Sequence, residues 1–360
     1  MLKFDWIAIT LIFLLVAIGL AALYSVSRVD NNLNLGDFEK QNVALVLGIG
    51  AAVFFAFFDY RALNSVSTRL YFGALVLLGS VFFIGSRIRG ATAWIGIGPF
   101  HIEPVEIVKI VMIVFLASFL SKKKAELSMT WRIIGSIVLV AIPVFLIMKQ
   151  PDFGSASVIV GIWIGMLVAS GINKKSLAVL IMVGIIGATS GWFFLKPYQK
   201  DRIINFVKPS NDPLGTGYNV IQSTVAVGSG GIMGKGLGHG SQSQLNFIPE
   251  KHTDFIFAVI AEELGLFGAL FVLALYLALL YRIREAALLA RDNFGYLLAV
   301  GVIVMLFVQI LINVGMNIGV VPVAGVPLPF LSYGGSSLVV ILSAMGLVQS
   351  VYMRRMKTLD

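Results

Sequence analysis

The feature that most constrains this chain is a series of ten long apolar runs, at roughly 5–26, 41–58, 68–86, 104–120, 132–148, 154–170, 176–195, 255–281, 296–319 and 335–353. A helix needs about 20 apolar residues to cross the hydrocarbon core of a bilayer. Within lipid only helices and closed barrels satisfy all their own backbone hydrogen bonds. The pattern therefore predicts an all-α polytopic membrane protein with about ten transmembrane helices. Composition agrees: 58% of residues are hydrophobic and only 12% charged, against about 25% charged in a soluble domain. The first run, from Trp6 to Tyr24, exceeds the roughly 7–15 residues of a signal-peptide core, so it reads as a retained first span.

Ten spans put both termini on one side. With the N-terminus taken as cytoplasmic, Arg61, Arg69, Lys122 to Lys124, Arg132, Lys174, Lys175, Arg282, Arg284, Arg291, Arg354, Arg355 and Lys357 all fall inside, as basic residues flanking spans tend to do. The net charge of +9 then belongs to cytoplasmic loops and anionic lipid headgroups, not to nucleic acid. The chain has no cysteine, which excludes disulfides and thiolate metal sites.

The whole chain, 1–360, reads as one transmembrane domain. Its long connection, 196–254, falls outside, and its interleaved apolar and polar residues suggest one or two short helices lying at the interface. The glycine-dense stretch "GSGGIMGKGLGHG" within it reads as the hinge of an outer lid. It is not a nucleotide loop. A P-loop runs G-x-x-x-x-G-K-[ST], whereas here Ser229 stands where the first glycine belongs and Gly236 where Ser or Thr belongs.

Ionisable residues near the spans are the functional candidates, because charge at membrane depth is expensive. Glu106 and Lys109 share a helix face at i, i+3. They are either a self-neutralising pair or a cation held by its carboxylate toward an internal polar cavity. Asp152, after Pro151, caps the following span or faces the same cavity. Gln309, Asn313 and Asn317 form one stripe, the kind of amide set that glues helices together in lipid. The segment 319–337, with Pro322, Pro327 and Pro329, cannot be a straight helix and reads as a shaped re-entrant loop. Asp254 sits where the long outer segment enters the next span. It is a helix cap or a general base kept ionised by Lys251 and His252. The histidines, His101, His239 and His252, have no paired metal-ligand spacing. The metal site is left unknown, with room for a magnesium or manganese ion between one carboxylate and a substrate pyrophosphate.

The segments 208–268 and "NVGMNIGVVPVAGVPLPFLSYGGSS", together with "RGATAWIGIGPFHIEPVEIVKI" and "QPDFGSA", resemble the SEDS family. They are closer to its elongation branch than to its division branch. The likeness runs over nearly the whole chain. One departure is "EPVE", where the family more often has Gln-Pro-Ser-Glu. The resemblance implies a peptidoglycan glycosyltransferase in the bacterial cytoplasmic membrane, with its active site outside. It implies polymerisation of lipid II into β-1,4 glycan and a class B penicillin-binding protein as partner. It makes Asp254 the catalytic carboxylate. Around it, Glu106, Lys109, Asp152, Arg87, Arg202 and Lys251 are the expected substrate-binding residues, with the cations placed to meet the departing pyrophosphate.

Overall fold

A computed structural model describes residues 4–29, 32–33, 36–88, 91–97, 100–122, 129–173, 175–180, 182, 184, 200, 204–206, 208, 216–245, 247–248 and 250–355. Its frame is helical. The helices are α1 (Trp6–Ser27), α2 (Gly36–Phe57), α3 (Tyr60–Ile84), α4 (Pro104–Leu120), α5 (Met129–Lys149), α6 (Phe153–Ala169), α7 (Thr216–Ser229), α8 (Ser241–Gln244), α9 (Ile256–Leu288), α10 (Asn293–Asn317) and α11 (Gly335–Met353). Among the described residues, seven are long and apolar enough to cross a membrane: α1, α2, α3, α5, α9, α10 and α11. The helices α4 and α6 have 17 residues each. The expected span 176–195 lies largely outside the described residues.

The packing sorts these helices by their surroundings. The faces of α1, α2 and α3 expose Phe13, Val46, Val76 and Phe83, an outward apolar belt suited to acyl chains. The helix α11 is buried along most of its length against α2, and a helix that is apolar all round belongs in such a core. The helix α10 packs on α4, α6 and α9 and links the centre of the bundle to the site described below. At the end holding the N-termini of α1, α3 and α10, Asp5 pairs with Arg282 at 3.0 Å and Asp292 with Arg61 at 3.4 Å.

The connection between α3 and α4 is a small antiparallel sheet of β3 (Ser86–Ile88), β4 (Ala91–Ile97) and β5 (Phe100–Ile102), preceded in the chain by the β1 (Arg28–Val29) and β2 (Asn32–Leu33) ribbon. In the sheet Ile97 pairs with Phe100 and Arg87 with Thr92.

The helix α9 is broken at Gly265, whose φ of 69° and ψ of −166° are not helical. A break leaves carbonyls and amides without helical partners, and at membrane depth they must find others. The glycine-dense stretch supplies them. The amides of Lys235 and Gly236 donate to the Glu262 and Glu263 carbonyls, and those of Leu266 and Phe267 donate to Gly231 and Ile232. A side chain at Gly234 would collide with the Glu263 backbone, and Gly234 also holds a φ of 78°. These glycines serve close backbone approach. The expected free hinge at 228–240 is instead a segment tied to α9.

Candidate functional site

Asp254 stands in the turn 250–255, just before α9. The cap position of that helix belongs to Phe255, which makes no side-chain capping bond. The cap reading of Asp254 therefore does not describe its place. What the fold does is fix its backbone. The Asp254 carbonyl accepts from the amides of Asn313 and Asn317, each at 3.0 Å. Asn317 Oδ1 in turn accepts from Ala258 N–H at 3.0 Å. The stripe on α10 does glue helices, and the point it glues is the root of Asp254.

Gln309, one turn earlier on that stripe, is fully buried and neither of its amide atoms has a partner. Replacing a buried unpaired amide by an apolar group of similar size is close to neutral or favourable. Gln309→Leu is expected to leave stability unchanged or raise it by about 1 kcal/mol. A clear fall in melting temperature would contradict this.

The neighbouring residues are fixed by the segment 318–334. Ser332 Oγ donates to the Thr253 carbonyl at 2.6 Å while accepting from Leu328 N–H. The amide of Tyr333 donates to the His252 carbonyl at 2.8 Å. Gln41 of α2 bonds Ser332 and Gly334, and the Tyr276 hydroxyl bonds the Pro329 carbonyl. Cross-links of this density make the segment a shaped wall rather than a loose connection.

That wall, the turn at Asp254, the start of α6 and the strand β4 enclose a cavity of about 180 Å³. Its polar lining includes Glu103, Asp152, Thr253, Asp254, Tyr333, Ser336 and Ser337, with Trp94 from the sheet. Asp152 holds both roles left open for it. One oxygen caps α6 by accepting from Ser155 N–H at 3.0 Å, while the buried second oxygen has no hydrogen-bond partner. Asp152 and Asp254 thus meet in one cavity.

Glu103 is the residue that sequence reasoning passed over. It occupies the cap position of α4 without capping it, immediately before Pro104, and its N–H donates to Ser336 Oγ at 3.2 Å. Burial pushes its carboxyl well above the usual carboxylate range, and the charges of Glu106, Asp152 and Asp254 add to that shift while Lys109 opposes it. The signal available was the glutamate itself, standing in "EPVE" where the resembling family more often has glutamine.

The remaining expectations are not gathered here. Lys109 and Glu106 form an ion pair at 2.8 Å, but both are buried and neither lines the cavity. They lie one layer behind it, with Glu103 at the α4 terminus in front. Lys251 is also buried elsewhere, its ammonium donating to the Ser243 carbonyl at 2.5 Å. Glu262 pairs with Lys235 at 2.8 Å and accepts from the backbone of α8, while Glu263 accepts from Ser25. Arg87 lies on β3 with its side chain outside the described atoms, and Arg202 lies outside the described residues. Among the described residues, the lining therefore carries three carboxylates and no cation.

Burial lowers Lys251 to about 8 from an ordinary 10.5. Between those values the unfolded chain binds more protons than the folded one, so stability rises with pH across the window, and below it the cost is complete. Lys251→Met is expected to abolish that rise. Melting curves of both proteins at either end of the window check it, and an equal rise in the variant would assign the effect to another group.

The comparisons with known proteins agree with this architecture. The chain matches the family model of the cell cycle proteins FtsW, RodA and SpoVE over residues 5–357. It is 38% identical over 323 residues to the peptidoglycan glycosyltransferase MrdB of Escherichia coli (strain K12), covering 89% of this chain and 87% of that protein. It is also 38% identical to the stage V sporulation protein E of Bacillus subtilis (strain 168), over 96% of both. Among solved structures, one described as structural coordination of polymerization and crosslinking by a peptidoglycan synthase complex superposes with a TM-score of 0.83 at 34% identity, over 98% of each chain. The rod shape determining protein RodA of Thermus thermophilus superposes with a TM-score of 0.75 at 28% identity, over 99% of each.

Proposed function

Because this chain belongs to the FtsW, RodA and SpoVE family of cell cycle proteins, we propose that it is a peptidoglycan glycosyltransferase that polymerises lipid II during cell elongation. It is an integral membrane enzyme of the bacterial inner membrane. The observation that best supports the chemistry is the Asp254 turn, whose backbone is bonded from α10 and from the segment 318–334 beside a small polar cavity.

Lipid II carries an α-linked pyrophosphate, and the product linkage is β-1,4. One displacement with inversion accounts for this. Asp254 accepts the proton of the incoming 4-hydroxyl. That oxygen forms the new bond to the anomeric carbon of the second substrate, and the bond from that carbon to the pyrophosphate oxygen breaks. A positioned base contributes about 10²- to 10⁴-fold.

When protonated, the Glu103 carboxyl would donate a hydrogen bond to a sugar oxygen, as a glutamine there would. The charge that meets the pyrophosphate comes from outside the described lining, and Arg87 and Arg202 remain the proposed cations. A divalent ion would use one cavity carboxylate and pyrophosphate oxygens. Among the described residues no three ligating side chains converge to hold one alone. A class B penicillin-binding protein, which crosslinks the new strand, is the proposed partner. The cavity opens away from the Asp5–Arg282 end of the bundle, which the proposal places in the cytoplasm together with both termini.

The decisive experiment supplies lipid II to the purified protein with and without the penicillin-binding partner. Formation of glycan polymer is expected. Its absence in both preparations, for a protein that is folded and monodisperse, would overturn the assignment.

A further inference from the structure

A second cavity, of about 340 Å³, lies at the other end of the same helices. Its lining includes Leu120 and Ser121 at the end of α4, Ala169 and Ser170 at the end of α6, and Asn293 and Tyr296 at the start of α10. Glu103 and Phe153, which line the Asp254 cavity, stand at the opposite ends of α4 and α6. With about 1.5 Å of rise per residue, the two cavities sit on opposite faces of the membrane.

The charge of this second cavity is the reverse of the first. Among the described residues Lys122 and Arg132 line it, and no carboxylate does. Arg132 is only 5% exposed. Its terminal nitrogens donate to the carbonyls of Leu120 and Lys122, and its buried Nε has no partner. Among the described residues no carboxylate pairs with it. A buried guanidinium without a counter-charge is costly. The end of α4 offers it about half a negative charge, and no carboxylate among the described residues supplies the rest. Its position in the first turn of α5 makes this worse, since a cation there opposes the dipole of its own helix.

The starts of α5 and α10 both favour an anion at this place. The opposing groups are accounted for. The Leu120 carbonyl ending α4 accepts from Arg132, and the N–H of Ser170 closes the end of α6 by donating to Met166. The nearby Asp292 carboxylate accepts from Gly295 N–H and the Tyr60 hydroxyl and pairs with Arg61.

The surroundings give the depth. Trp131, next to Arg132, is 65% exposed, as aromatic residues at the headgroup level are. From there Ile134, Val138, Ile142 and Phe145 leave an exposed apolar track along α5. Cation, interfacial tryptophan and apolar track follow one another as phosphate, glycerol and acyl chain do in a phospholipid.

We propose that this cavity binds the phosphodiester of an anionic membrane phospholipid through Arg132 and Lys122, with an acyl chain along α5. Basic pockets between membrane helices bind such headgroups. The site is separate from the polymerisation cavity and uses none of its residues.

Native mass spectrometry of the delipidated full-length protein, titrated with phosphatidylglycerol, phosphatidylcholine or inorganic phosphate, tests this. One phosphatidylglycerol per chain is expected to be retained, with phosphatidylcholine clearly weaker. Lys122→Ala, at an exposed position that should fold normally, is expected to weaken retention roughly five-fold, and Arg132→Gln more. Lys175→Ala, basic but outside the cavity, should change nothing. Retention by Lys122→Ala equal to the parent protein overturns the proposal whether or not Arg132→Gln folds. Equal retention of phosphatidylcholine overturns the anionic requirement. Displacement by an equal concentration of inorganic phosphate would make the ligand a soluble phosphate rather than a lipid.

Discussion

Asp254→Asn protein is expected to fold, to join its partner, and to make no measurable glycan. The cap position of α9 belongs to Phe255, not to Asp254. The bonds that hold the turn are made to backbone: Asn313 and Asn317 to the Asp254 carbonyl, and Ser332 to the Thr253 carbonyl. Asparagine keeps that carbonyl and nearly the same shape, so the melting temperature should hardly move. In the proposed mechanism it loses the ability to take the proton of the incoming hydroxyl, and with it about two to four orders of magnitude in rate. Gel analysis of polymer made from lipid II, alongside melting curves, separates the two effects. Polymer yield close to the parent protein would remove Asp254 from the base role. A large fall in melting temperature would make it a structural residue instead.

Much of the frame is legible in the sequence because the bilayer makes run length informative. The places where reading failed share a cause, which is that hydropathy reports environment rather than backbone. The span read as 255–281 is the helix Ile256–Leu288. Its end, "RIREAALL", is too polar for hydrocarbon but rich in strong helix formers, and Asp5 from α1 binds Arg282 there. The sheet at 86–102 falls between the expected spans 68–86 and 104–120. Its strands are short and broken by glycine, although "ATAWIGI" has the composition of a strand. The glycine-dense stretch shows the limit most clearly. Composition cannot distinguish a glycine needed for freedom from one needed for contact, and here the broken ladder of α9 required the contact.

The site was legible to a different degree. Asp254 and Asp152 announce themselves as carboxylates at the ends of apolar runs, and the cavity joins them. Glu103 carries the same signal but was eclipsed by the i, i+3 pair beside it. Which residue of "EPVEIVK" faces a cavity depends on how α4 rotates against α3, α6 and α10. No periodicity within one helix sets that rotation. The amides Asn313 and Asn317 were visible as helix glue. Their bond to the Asp254 carbonyl spans some 60 positions of chain (59 and 63) and exists only after packing.

The ion pair behind the cavity sets the second large effect. Lys109 is wholly buried against Glu106 and also carries the field of Glu103 and Asp152. Removing one partner of such a pair leaves an uncompensated buried charge and costs about 3–5 kcal/mol. Lys109→Met is therefore expected to be among the most destabilising single changes in the chain, measured by thermal unfolding in detergent. Lys124→Ala, a basic residue remote from the pair in sequence, should be nearly silent. The double variant Glu106→Gln with Lys109→Met removes both charges at little change in volume, and replacing a buried pair together is often close to neutral. It should recover most of the lost stability. Polymerisation by that stable double variant then decides what the pair is for. The double variant loses Lys109, which opposes the shift at Glu103, together with Glu106, which adds to it. The two losses leave no net change of charge behind the cavity, so the activity–pH profile should stay in place. Parental activity would reduce the pair to scaffolding, and lost activity at parental stability would give it a part in the reaction. Failure of the double variant to regain stability would show that Lys109 answers to Glu103 and Asp152 as much as to Glu106.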